Sequence, residues 1–190
     1  MKFDINHYIN SEIDTPTDVD LLRVDEYLYR AKWISEFIRD GSILDLGCNN
    51  GILSLKYAYQ GRRVVGIDLS KEAINFCNDF LKRNNISQYY QIKIEDYNGK
   101  EKFNNIFVCE VIEHAENPKK ILDIAKKQLK KNGLIFLTTP DYYGQYGINN
   151  TGDTEHLRTY KAFELKKLIL KYGTIIDFQK KQLLYCAYKL

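Results

Sequence analysis

Apolar residues fall in two rhythms along this chain of 190 residues: short unbroken runs, and longer stretches in which every third or fourth position is apolar. The first suits buried strands, the second helices with one apolar face. From Val19 to Arg39, Leu21, Val24, Leu28, Ala31, Trp33 or Ile34, and Ile38 recur at helical spacing, and Asp40-Gly41 ends the run. Strands are predicted at 42–46, 63–68, 89–94, 105–109 and 134–138, with helices at 51–60, 71–83 and 118–131. Ser70 is the expected N-cap of the 71–83 helix, and Pro118 sits at a favoured first helical position. Asn132-Gly133 is expected to stop the 118–131 helix. An irregular stretch, 140–158, leads to a helix at 161–172 closed by Gly173. Two last strands, 174–179 and 182–189, flank a short Lys-Lys-Gln turn and form a hairpin. Alternating β and α with short connections predicts an α/β fold, a mostly parallel sheet covered by helices on both faces. No repeat or linker breaks the chain, so residues 1–190 are read as one domain, with polar, unpatterned 1–18 as an N-terminal arm.

The chemistry concentrates where the first strand ends. Ile43-Leu44-Asp45-Leu46 runs into Gly47-Cys48-Asn49-Asn50-Gly51 and then into helical Ile52–Tyr59. Strand, glycine turn and helix bring backbone close to a ligand and aim a helix N-terminus at it. Seventeen residues after Gly51, the run Val64-Val65-Gly66-Ile67 also ends in an acid, Asp68. A carboxylate at the tip of a second strand is placed to accept both hydroxyls of a ribose.

These two segments together resemble the class I S-adenosylmethionine-dependent methyltransferases. A dinucleotide-binding dehydrogenase would instead want G-x-G-x-x-G. The methyltransferase turn usually reads G-x-G-x-G; here Asn49 replaces the middle Gly, and Asn tolerates a positive φ better than most residues. The resemblance runs from about Trp33 to the C-terminus. It implies a Rossmann-like sheet of seven strands, the last one reversed, and S-adenosyl-L-methionine as cofactor with S-adenosyl-L-homocysteine as product. By resemblance, Asp45 pairs with the cofactor's ammonium, and Gly47, Cys48, Asn49 and Gly51 form its loop. Asp68 takes the ribose, Leu69 packs on adenine, and Asp96 accepts from the adenine amino group, with Glu95 or Tyr97 bounding the base. Glu110 joins the set at the end of strand four.

The acceptor side starts at Cys109-Glu110-Val111-Ile112-Glu113-His114. If the chain turns helical at Glu110, Glu113 and His114 share its face at i+3 and i+4. His114 is a candidate base for an acceptor hydroxyl, its ordinary pKa near 6.5 suiting that work, or else it caps the loop. Glu155-His156-Leu157-Arg158-Thr159-Tyr160 resembles a run that lies above the acceptor pocket in many small-molecule O-methyltransferases, making His156 the second candidate. Tyr142, Tyr143 and Tyr146 would wall that pocket, and the arm with His7 and Tyr8 would cover it. The E-x-x-E-H spacing resembles both ubiquinone-biosynthesis O-methyltransferases and small-RNA 2′-O-methyltransferases. In the RNA group such residues hold a metal, for which Glu110, Glu113, His114 and His156 would be the ligands. The expectation is that no metal binds.

Composition narrows the partners. A net charge of +3 implies no nucleic acid or anionic membrane, and no apolar run reaches the roughly 20 residues of a membrane span. The paired lysines of the 118–131 helix lie opposite Ile121, Leu122, Ala125 and Leu129 and read as a solvated face. The four scattered cysteines fit a reducing, cytoplasmic setting. The expected protein is a monomer or homodimer that methylates a hydroxyl of a small metabolite, of sugar or quinone and phenol type. The rivals are metal-assisted RNA 2′-O-methylation and a non-catalytic cofactor-binding subunit.

Overall fold

A computed structural model describes residues 18–81, 86–144 and 156–190, with side chains from residue 25 onward. The arm with His7 and Tyr8, and Tyr146 of the tyrosine loop, lie outside the described residues. Helix α1 spans Asp18–Phe37 and precedes strand β1, Ile43–Leu46. Then come α2 (Leu55–Tyr59), β2 (Val64–Asp68), α3 (Lys71–Phe80) and β3 (Gln88–Gln91). They are followed by β4 (Phe103–Cys109), α4 (Pro118–Gln128), β5 (Leu129–Pro140), α5 (Ala162–Ile169), β6 (Thr174–Lys180) and β7 (Leu183–Lys189).

The seven strands form one sheet in the order β3-β2-β1-β4-β5-β7-β6. All neighbouring pairs from β3 to β5 are parallel, whereas β7 runs antiparallel to both β5 and β6. The one reversed strand is therefore the last, as the hairpin signal predicts. Alternating side chains feed two cores, because a strand points successive residues to opposite faces. Ile43 joins Trp33, Leu55, Cys77 and Phe136 on one face; Leu44 joins Ile121, Leu122, Leu165 and Leu184 on the other. Trp33 anchors α1, its ring edge-on to Phe136 at 5.5 Å and to Tyr185 at 5.3 Å. Its Nε1 donates to Asp177 Oδ2 at 2.8 Å. Trp33 and Ile34, alternatives in the sequence pattern, are both buried.

Both helix starts hold as read: Ser70 Oγ accepts the Ala73 N–H, and Asn117 caps the helix that Pro118 opens. Several boundaries move. The helix expected from 51 begins at Leu55, because the glycine turn and residues 52–54 use their hydrogen bonds in successive tight turns. The helix expected to reach 131 ends at Gln128, since buried Leu129 pairs with Phe103 and already belongs to β5. Asn132, at φ +64, then bulges out before the regular pairing resumes at Leu134 with Asn105. Strand three stops at Gln91, and Ile94–Asp96 form a 3-10 turn instead. The 161–172 helix contracts to Ala162–Ile169.

For the site, the order of strands matters most. The chain moves outward from β1 to β2 and β3, then crosses back to β4 on the other side of β1. Connections after β1 and β4 thus diverge, leaving a crevice at the C-terminal edge of the sheet, where open α/β folds bind ligands.

Candidate functional site

The turn after β1 takes positive φ at alternate residues: Gly47 at +72, Asn49 at +44 and Gly51 at +75. A Cβ on Gly47 would lie 2.6 Å from Val111 Cγ2, so the turn and the β4 loop touch through that missing side chain. Asn49 takes up the conformation where the usual pattern has Gly. Asp68 braces the turn from the neighbouring strand. Its Oδ2 accepts the Asn49 N–H at 2.7 Å and its Oδ1 the Ser70 N–H at 2.9 Å. Each carboxylate oxygen retains a lone pair for a ligand.

A cleft of about 750 Å³ opens above this turn. Gly47, Asn49, Asp68, Leu69 and Ser70 form one wall, Lys93, Ile94 and Glu95 the end. Glu110, Val111, His114, Ala115, Glu116 and Ile121 complete the lining. Leu69 is 64% exposed, an apolar side chain held out where a flat base could rest. Of the predicted residues, Gly47, Asn49, Asp68, Leu69, Glu110 and His114 thus share one cavity. Asp96 is exposed in its turn, and the lining stops at Glu95. Asp45, Cys48 and Gly51 are buried and off the cleft wall. Cys48 approaches Gly66, and burial pushes its thiol well up, so the residue packs behind the loop as an inert group.

Under this floor lies a cluster of charge in which Asp45 and Glu110 were expected and Arg30 was not. Arg30 of α1, 4% exposed, reaches beneath the sheet edge to pair with Glu110 Oε1 at 3.5 Å. Thr138 Oγ1 donates to the same oxygen at 2.8 Å, and the Glu110 N–H donates to the Thr138 carbonyl. Asp45 is 3% exposed, with Oδ2 lacking a hydrogen bond among the described residues. Burial pushes its carboxyl up to about 7; a hydrogen bond with Ser54 opposes this, Asp68 adds to it and Arg30 opposes it. The one signal for Arg30 was its place: three and four residues before Trp33 and Ile34, on the buried face of α1.

Helical geometry does not begin at Glu110, which has φ +55; residues 112–114 form a turn. This separates the two acids. Glu113 is fully buried, accepting from Thr139 Oγ1 at 2.9 Å, and burial followed by the charge of Glu110 pushes its carboxyl well up. His114 and His156 face each other with ring centroids 4.7 Å apart. Donor atoms of Glu113, His114 and His156 all lie within 4.8 Å of one another, and Glu110 falls outside this group. Their chemistry, one carboxylate and two imidazoles, is compatible with a divalent ion.

The second segment folds onto the first. Arg158 donates to the carbonyls of Ile112, Ala115 and Glu116, and the Leu157 N–H donates to the Glu113 carbonyl at 2.9 Å. Arg158 is therefore a brace for the turn that carries His114. Tyr142 and Tyr143 pack edge-on at 5.0 Å beside it, with Lys161 above the Tyr142 ring at 4.7 Å. The Tyr142 N–H donates to the Tyr160 carbonyl, joining the two segments.

Comparison with known proteins gives a consistent picture. The profile of a family described as "Methyltransferase domain" matches residues 23–175. A ubiquinone biosynthesis O-methyltransferase of Glaesserella parasuis serovar 5 (strain SH0165) is 38% identical over 104 residues, covering 51% of this chain and 44% of that protein. The chain spans about half the length of the curated relatives it matches. Among solved structures, a protein of Pyrococcus horikoshii OT3 superposes with a TM-score of 0.72 at 18% identity, covering 93% of both chains. An S-adenosylmethionine-dependent methyltransferase of Clostridium acetobutylicum ATCC 824 gives 0.67 at 16% identity, covering 87% of this chain and 89% of its own. These likenesses show a shared fold.

Proposed function

This chain belongs to the methyltransferase-domain family, and from that premise we propose that it transfers the methyl group of S-adenosyl-L-methionine to a hydroxyl of a small metabolite of sugar or quinone and phenol type. The observation that carries the reading is the cleft itself. One cavity joins the positive-φ turn at Gly47 and Asn49, the Asp68 carboxylate and His114. Asp68 accepts from the ribose hydroxyls, Leu69 packs on the base, and the turn's backbone lies along the methionine part. The names of the curated relatives favour oxygen as the acceptor atom.

The methyl carbon leaves sulfur as it bonds to the acceptor oxygen, yielding S-adenosyl-L-homocysteine. His114, exposed on the cleft wall, takes the hydroxyl proton. Because sulfonium is already a good leaving group, alignment and exclusion of water supply most of the rate. His156, its ring tilted against that of His114, orients it or meets the acceptor. A second reading is favoured by the convergence of Glu113, His114 and His156: a divalent ion at that point would hold acceptor oxygens. The metal-free reading is preferred because Glu110, the fourth residue of the set, is turned to Thr138 and Arg30.

Calorimetric titration with S-adenosyl-L-homocysteine should give one site per chain. Labelled S-adenosyl-L-methionine with a simple catechol then tests transfer to oxygen. A folded protein that binds no S-adenosyl-L-homocysteine would end this reading; binding without transfer to any hydroxyl compound would favour a non-catalytic subunit.

A further inference from the structure

Asp45 is held from two strands away. Tyr89 of β3 lies across Gly66 of β2, where a Cβ would collide with its ring, so the missing side chain lets the phenol reach over the neighbouring strand toward β1. Its buried hydroxyl meets Ser54 Oγ at 2.9 Å, and Ser54 hydrogen-bonds in turn to the Asp45 carboxylate. Asp45 Oδ2 has no hydrogen bond among the described residues, so that bond falls on Oδ1. Asn78 of α3 fixes the place of Tyr89: its Nδ2 donates to the Tyr89 carbonyl at 3.1 Å, and its Oδ1 accepts the Tyr89 N–H at 3.3 Å. Ser54 is fixed by its N–H, which donates to the Gly51 carbonyl at 2.9 Å. The methyl-transfer step uses neither hydroxyl.

Counting hydrogens gives this chain a direction. A carboxylate only accepts, and Ser54 has one hydroxyl hydrogen to give. With Asp45 ionised, Ser54 donates to Oδ1 and must accept from Tyr89, so both protons point toward the charge. Hydrogen bonds to an ionised acceptor are roughly twice as strong as neutral ones, and each bond in a chain polarises the next. The chain thus favours the charged carboxyl, against burial, which favours the neutral one. The other ionisable groups facing Asp45 are Asp68 at the tip of β2, Arg30 of α1, Cys48 of the turn and Cys109 at the end of β4. Burial pushes both thiols up, and the Tyr89 phenol with them, so these three stay neutral where Asp45 titrates.

We propose that Ser54 and Tyr89 are positioning residues: a directed chain of hydroxyl hydrogen bonds, Tyr89 to Ser54 to Asp45, holds the Asp45 carboxylate in place as an anion. Neither residue lines the cleft, and both act through Asp45. A ligand bearing a cation binds more tightly to a site whose buried acid is charged, so cofactor affinity should follow the chain. Only that effect on affinity rests on the proposed cofactor.

The first test needs no ligand. The carboxyl carbon of Asp45, followed by NMR in the unliganded protein and assigned by its loss in Asp45→Asn, reports the ionisation directly. Tyr89→Phe keeps the ring over Gly66 and removes the hydroxyl alone; it should move the titration midpoint up by roughly half to one pH unit. Ser54→Ala should move it at least as far, and the double variant no further than Ser54→Ala, because Tyr89 reaches Asp45 only through Ser54. Ser54→Ala also carries the test if Tyr89→Phe folds poorly. In titrations with S-adenosyl-L-homocysteine, Tyr89→Phe should bind roughly three- to tenfold more weakly at about pH 6 and as tightly as wild type at about pH 9. In an Asp45→Asn background it should change nothing. An unmoved midpoint in folded variants would overturn the proposal, and so would affinity lost equally at every pH, the mark of a packing role. A Tyr89→Phe shift that survives in a Ser54→Ala background would overturn it too, since the phenol would then act on Asp45 directly. Wild-type protein that binds no S-adenosyl-L-homocysteine, while the midpoint still moves, would remove the cofactor reading and leave the chain standing.

Discussion

The Asp68 carboxylate holds the Asn49 N–H at 2.7 Å, so the acid at the tip of β2 fixes the turn at the tip of β1. One side chain therefore has two tasks, shaping the turn and meeting a ligand. Asp68→Ala should weaken S-adenosyl-L-homocysteine binding by about 1–3 kcal/mol, since a charged acceptor is lost and an N–H is left without its partner. Leu69→Ala should cost less. Unchanged affinity in a folded Asp68→Ala protein, measured by calorimetry, would take Asp68 out of the site.

Asp45 predicts a pH dependence. Its folded pKa, about 7, lies above the ordinary carboxyl value, so between about pH 4 and 7 the folded state holds a proton that the unfolded state has released. Stability contributed by this group is then present at low pH and declines as pH rises through that window. Asp45→Asn should flatten the fall in melting temperature between pH 5 and 7.5. Parallel melting curves for wild type and variant would show that Asp45 ionises normally.

The same proton should be linked to the cofactor. A ligand cation favours the ionised carboxyl, so S-adenosyl-L-homocysteine affinity should rise toward pH 7 and level off above it. Titrations in Asp45→Asn should lack that rise; a rise that survives the substitution assigns it elsewhere.

His114→Ala should lower turnover by roughly 10²–10⁴ with cofactor affinity little changed, if its imidazole takes the acceptor proton. A loss below tenfold would assign His114 to structure and leave alignment to explain the rate.

Removing divalent ions with a chelator should change neither cofactor affinity nor turnover. Loss of turnover that added Mg²⁺, Mn²⁺ or Zn²⁺ restores, and that Glu113→Gln abolishes, would move the reaction to the cation site at Glu113, His114 and His156.

The parts of this molecule that were legible in its sequence are those dictated by neighbours along the chain. Ile43–Leu46 and Val64–Asp68 read as buried strands because apolar runs stop at an acid, and Ser70 and Pro118 mark their helices by local chemistry. Boundaries set by partners far along the chain were harder. Leu129 has a helical pattern behind it, yet Phe103 draws it into the sheet. Glu110 is followed by helix-like spacing, but its φ of +55 is imposed by its bonds to Thr138 on another strand. Arg30 was missed for the same reason: periodicity places it on a buried face, and only the folded sheet reveals the carboxylate that it meets.

The anchoring of α1 also sets a timetable. Trp33 bonds to Asp177, 144 residues further on, and Glu26 accepts from the Tyr185 hydroxyl at 2.6 Å. During synthesis the early helix emerges long before either partner, so Trp33 can meet Phe136 before the residues that bond its indole N–H and cover its other side exist. Contacts of such sequence separation form late and slowly. The glycine turn and its acid can assemble from the first seventy residues, while the polar anchors of α1 wait for Asp177 and Tyr185. A ribosome-stalled chain ending before residue 177 should therefore show a Trp33 fluorescence redder than that of a chain extended through the hairpin, because Tyr185 and Asp177 cover one side of the ring.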